Sequence, residues 1–88
     1  MSLRIIGSND ADAVAHRLRQ AIEAAVAGAE VEVVGGSPGH FTVRVVSTAF
    51  TGKTPVQRQQ MVYAAIAPLM SGDAPPVHAI DRMETRAP

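Results

Sequence analysis

Eighty-eight residues allow one small domain, because chains of this size bury only about 60 per cent of their unfolded surface and cannot divide that between two cores. The apolar 47% is largely alanine and valine, with two phenylalanines, one tyrosine and no tryptophan, which argues against a deep aromatic ligand pocket. Basic and acidic residues balance at eight each and there is no cysteine, so a general pull towards nucleic acid or an anionic membrane, disulfides and a self-contained thiolate metal site are all excluded. No stretch approaches the roughly eighteen apolar residues of a membrane span, and no charged leader with an apolar run opens the chain, so the expected address is cytoplasmic.

In chain order, Ser8, Asn9 and Asp10 are competent N-caps, and Asp10 and Asp12 suit the positive end of a helix, so a helix is expected to begin near residue 10. Val14, Leu18, Ile22 and Ala25 recur at spacings of four and three as its apolar stripe, and Gly28 ends it. From Glu30 the period becomes two. Val31 and Val33 alternate with Glu30 and Glu32, then Phe41, Val43 and Val45 alternate with Thr42 and Arg44, which predicts two strands, each with a core face and a wet face. Gly35-Gly36-Ser37-Pro38-Gly39 joins them as the loop of an antiparallel hairpin.

The stretch Phe50 to Tyr63 turns the chain from strand to helix, with the second strand expected to end at Phe50 and Gly52. Thr54 stands before Pro55 and three residues before Gln57, the spacing of a capping box with proline at the first helical position. Val62, Ala65, Ile66 and Leu69 form the core stripe of this helix, with Tyr63 beginning its packing, and Pro68 predicts a kink or an end near Ala67. After turn material from Ser71 to Pro76, Val77 to Met83 reads as a third strand, whose alternation puts His78, Ile80 and Arg82 on one face. Helix, strand, strand, helix, strand is an α+β order. The helical crossover predicts a third strand parallel to and beside the second, in a three-stranded mixed sheet with both helices on one face. One domain is expected over residues 1–88, with an ordered core over about 10–83; its exposed sheet edge would suit a homodimer.

No serine or threonine is presented as a nucleophile elbow and no carboxylate pair has acid–base spacing, so no catalytic residue is identified and an enzyme is not expected. His16 lies off the helix stripe and reads as solvated. His40 and His78 each stand at the start of a strand, and if those strands run parallel the two open at the same end of the sheet. Two imidazoles there could offer ligands to a metal centre completed by another protein; the plainer roles are closing the hairpin for His40 and a satisfied, partly buried ring for His78. Gly52, Lys53 and Arg58, with Arg44 nearby, form a weak alternative grip on nucleic acid. One glycine and a proline at the helix start are poor material for a phosphate cradle, and a solvated basic edge explains them as well.

The blocks His40-Phe41-Thr42-Val43-Arg44-Val45-Val46-Ser47, Phe50-Thr51-Gly52-Lys53 running through Val56-Gln57-Arg58 and Met61-Val62-Tyr63, and Val77-His78-Ala79-Ile80 resemble, in order and separation, the BolA-like protein family. The resemblance covers about residues 30–83. It implies an α-β-β-α-β domain of the KH-like type and a partnership with a monothiol glutaredoxin, in which a [2Fe-2S] cluster is bound or transferred in iron and stress regulation. In that picture the glutaredoxin and glutathione supply thiolates, His78 supplies an imidazole, and His40 is the one local candidate for a second ligand. Arg58-Gln59-Gln60 stands where many members carry Arg-His-Arg. That places the chain with the glutamine-bearing branch, weakens the alternative role as a DNA-binding transcriptional regulator, and leaves Gln59 and Gln60 for partner binding. The end at Arg86-Ala87-Pro88 lacks the acidic-aromatic tail common in the family, where a partner contact is expected to be missing.

Overall fold

The computed structural model describes residues 4–88, with side chains described from residue 11. Its elements are α1 (Arg4–Ala25), β1 (Glu30–Gly35), β2 (His40–Val46), α2 (Pro55–Ile66) and β3 (Ala79–Arg86), with 3-10 turns at Thr48–Phe50 and Ala67–Leu69. The strands form one sheet in the order β1-β2-β3; β1 runs antiparallel to β2, and β3 runs parallel to it. This is the mixed sheet that the period change at Glu30 and the helical crossover predict.

Burial follows the alternation in the hairpin. Phe41, Val43 and Val45 are buried, with Val31 and Val33 packed against them, while Glu30, Glu32 and Arg44 face solvent. Leu18 and Ile22 of the first helix, Val26 just past its end, and Val62 and Ile66 of the second complete the core, together with Phe50, Leu69 and Val77. Burying a side chain of this size is worth about 1.5–3 kcal/mol, so a core this small depends on nearly every member. Thr54 caps α2 as its spacing predicts: its hydroxyl accepts from the Gln57 amide at 3.1 Å, and the Gln57 side chain accepts from the Thr54 amide at 2.9 Å. Pro68 sits where the α-helix gives way to the 3-10 turn, because a proline there has no amide to continue the ladder.

Several expectations are corrected. The first helix runs from Arg4, so Ser8, Asn9 and Asp10 lie within it and not at its start; their side chains lie outside the described residues. Cap-competent residues cost only about 0.5–0.7 kcal/mol each inside a helix, too little to oblige it to begin there. Val26, and not Ala25, completes the first stripe, continued by a bond from the Val26 amide to the Ile22 carbonyl at 2.8 Å; the larger side chain gains more from burial. The second strand stops at Val46, and Phe50 enters the core from a 3-10 turn. Tyr63, next to Val62 on the helix and so about 100° round it, is 41% exposed and takes no part in the core. The third strand begins at Ala79 and runs to Arg86, past the expected end at Met83.

The face assignment in this strand is also different. Phe41 pairs with Ile80 but Thr42 pairs with Arg82, so Asp81 is an extra residue, a β-bulge in a parallel ladder. Unbulged alternation would place Arg82 beside buried Val43. The bulge puts Met83 there instead and turns Arg82 outward, where it meets Glu84 at 3.1 Å in a chain of charges through Arg44 to Glu32. Ile80 and Arg82 therefore lie on opposite faces, and His78 precedes the strand.

Ser47 is the one buried polar side chain of the described core. Its hydroxyl donates to the Ala27 carbonyl at 2.6 Å and accepts from the Ala49 amide at 3.0 Å, while its own amide donates to the Arg86 carbonyl at 3.0 Å. Ser47→Ala leaves a carbonyl and an amide without their partner and is expected to cost about 1–3 kcal/mol in urea denaturation. Thr54→Ala removes an exposed cap and should cost less, about 1 kcal/mol.

Candidate functional site

Parallel pairing of β2 and β3 sets His40 opposite Ala79 and so brings His78, one residue earlier, beside the hairpin loop. The Gly39 carbonyl accepts from both the His78 amide at 2.8 Å and the Ala79 amide at 3.2 Å, which fixes the backbone from which His78 projects. The two imidazoles meet edge to face with ring centroids 6.4 Å apart. Both are accessible: the His40 side chain is 37% exposed and His78 is exposed. His78 is therefore not the partly buried ring that its sequence position allowed; it stands in the segment leading into the strand. His40 closes the hairpin through its backbone, its amide donating to the Ser37 carbonyl and its carbonyl accepting from the Gly36 amide, each at 2.8 Å.

Two residues that the sequence reading passed over shape this pair. Gly39 has φ +79°, and a Cβ added there would stand 2.6 Å from His78 Nδ1 and 2.7 Å from Cγ. Only glycine leaves the His78 ring this place against the loop backbone. Asp81, the bulge residue, sets its Oδ1 2.9 Å from His40 Nδ1, within hydrogen-bond distance. The pattern that could have disclosed it is the spacing of Ile80 and Met83. Two core-packed residues three apart cannot share a face of an unbroken strand.

Chemically, the pair offers two nitrogen donors at one end of the sheet. Among the described residues no three His, Cys, Asp or Glu side chains converge as a metal-binding set. Two donors are half of a tetrahedral complement, so the arrangement fits a centre shared with another molecule better than a metal site of its own. The wider sequence candidates are not brought to it. His16 is exposed on α1 with its Nδ1 3.3 Å from an Arg19 guanidinium nitrogen. Gly52, at φ +80°, and Lys53 lie exposed in the turn before α2. Arg58 is half-buried and tied to backbone, with Nε donating to the Lys53 carbonyl at 3.0 Å and Nη1 to the Thr85 carbonyl at 3.4 Å. Such a guanidinium latches α2 to β3 and has fewer donors left for a phosphate. Gln59 and Gln60 are exposed on α2 between Val56, 61% exposed, and Tyr63.

A family model described as BolA-like protein matches residues 13–88. BolA-like protein 1 of Bos taurus is 37% identical over 89 residues, covering 96% of this chain and 62% of that protein. The chain thus spans less than two thirds of the length of the BolA-like protein 1 relatives it matches. Among solved structures, a bolA protein homologue from Coxiella burnetii superposes with a TM-score of 0.67 and 30% identity, covering 83% of this chain and 88% of that one. The BolA domain of SufE1 from Arabidopsis thaliana superposes with a TM-score of 0.64 and 28% identity, covering 84% and 91%.

Gly39→Ala tests the geometry of the pair. It places an L residue in the left-handed region at about 1–2 kcal/mol and drives the His78 ring from its seat. Imidazole chemical shifts of His78 should change well beyond those of His16, and the steric part of the destabilisation should disappear in a His78→Ala background, as a double-mutant cycle in urea would measure.

Proposed function

The chain belongs to the BolA-like protein family, and on that footing we propose that it is a non-enzymatic accessory protein that binds a monothiol glutaredoxin and takes part in binding or transferring a [2Fe-2S] cluster. The observation that carries this reading is the meeting of His40, at the start of β2, and His78, just before β3, with accessible rings whose centroids are 6.4 Å apart. The cluster is cargo shared between two proteins, with thiolates supplied by the glutaredoxin and its glutathione. Histidine suits the role of second party. A neutral imidazole ligates through a lone pair without first losing a proton to solvent, as a thiol must, so it can meet a cluster already assembled elsewhere.

The residues of this chain then divide the work. His78, seated against Gly39, and His40, closing the hairpin, supply the nitrogens. The outer face of α2 at Gln59 and Gln60 is available to protein contact. Regulation of iron and stress responses would follow from the partnership. The tie of Arg58 to two carbonyls favours this reading over a nucleic-acid grip at Gly52, Lys53 and Arg58.

Mixed with cluster-loaded monothiol glutaredoxin, the chain is expected to form a complex and to change the visible absorption and circular dichroism of the cluster. His78→Ala should abolish that change and His40→Ala reduce it, while Lys53→Ala leaves it intact. A wild-type chain that neither binds nor alters the spectrum overturns the reading.

A further inference from the structure

We propose that Asp81 is a positioning residue: it holds the His40 ring with its proton on Nδ1 and so leaves Nε2 as the nitrogen presented to a metal. The assignment rests on the reading of His40 as a ligand, but its first half concerns this chain alone. An ionised carboxylate can only accept, so the 2.9 Å contact from His40 Nδ1 to Asp81 Oδ1 requires the proton of the neutral ring to sit on Nδ1. The other nitrogen then carries the lone pair. Metal-ligating histidines commonly donate their second ring N–H to a carboxylate in this way, which fixes the ring orientation and raises its basicity as a ligand.

The contact is built by the fold. In an unbulged ladder Asp81 would stand opposite Thr42, one level beyond His40 along the sheet. The shift of register between Phe41 and Thr42 releases Asp81 from that pairing, and Arg82 takes the place beside Thr42. The released carboxylate turns to His40. The neighbouring arginines are engaged elsewhere, Arg82 with Glu84 and Arg44 with Glu84 and Glu32, so among the described residues the side chain that meets the Asp81 carboxylate is His40. The same bulge keeps Arg82 out of the core and admits Met83, so packing holds Asp81 where His40 needs it. At 53% exposed, the Asp81 side chain contributes little to the core, and its replacement is expected to leave the fold standing.

Long-range proton–nitrogen NMR of the imidazoles, in mildly alkaline solution and without metal or partner, reads the tautomer directly. Wild type is expected to show His40 as the Nδ1–H tautomer. Asp81→Ala should convert it to mainly Nε2–H, and Asp81→Asn, whose amide oxygen still accepts, should retain Nδ1–H. A wild-type ring protonated on Nε2, or a tautomer unmoved by Asp81→Ala, overturns the assignment. With cluster-loaded glutaredoxin, Asp81→Ala is expected to weaken association about tenfold or more, and to have no further effect in a His40→Ala background. An equal loss in both backgrounds would mean that Asp81 acts by some route other than His40 and would reject the proposal. If the wild-type chain does not touch the glutaredoxin spectrum, the functional reading falls, and the tautomer comparison by itself decides for or against Asp81.

Discussion

The carbonyl of Gly39 is the joint on which this small fold and its candidate site both depend. It accepts the amides of His78 and Ala79, and in doing so it fastens the far end of the chain to the tip of the hairpin where the parallel pairing begins. Everything downstream in β3 is counted from that point. Were the strand to slip by one residue, Ile80 would leave its place beside Phe41 and the core face of the strand would turn to solvent. The hydrogen bonds that start the strand thus also bring an imidazole from each half of the chain to one edge. With no cysteine in the sequence and a core built mainly of valine, leucine and isoleucine, that pair of imidazoles is the candidate for the proposed ligand chemistry.

Strand β3 meets two requirements through a single irregularity. Its residues Ile80-Asp81-Arg82-Met83 must put two apolar side chains three positions apart into one core while the sheet repeats every two. The bulge resolves the mismatch and leaves one residue outside the ladder. That residue is the carboxylate that meets His40. A structural accommodation and a second layer around a candidate ligand are therefore the same feature.

Most of the architecture was legible because it is written in local pattern. The change of period at Glu30, the glycine-rich loop, the Thr54 to Gln57 box and the helical crossover each depend on residues close in sequence, and together they dictate the mixed sheet. Even the meeting of His40 and His78 followed from topology, since parallel neighbours begin at the same end. What local pattern did not carry were contacts between distant residues. Nothing within Gly35-Gly36-Ser37-Pro38-Gly39 marks its last glycine as the seat of a ring nearly forty residues on. Asp81 carries no local signal that sets it apart from the other acids, because its place is fixed by the register of β3 against β2. The exposure of Tyr63 and the burial of Val26 in place of Ala25 turn on which of two adjacent positions, about 100° apart round a helix, meets the core, and tertiary packing decides that.

The proposed shared cluster requires both imidazoles, and not one, as ligands. Pulsed electron paramagnetic resonance of the reduced complex between unlabelled glutaredoxin and this chain carrying nitrogen-15 histidine answers that at the level of the bond. Two inequivalent, strongly coupled histidine nitrogens are expected, falling to one in His40→Ala. A spectrum with no histidine coupling, or with the same couplings after both His40 and His78 are replaced, would contradict the account.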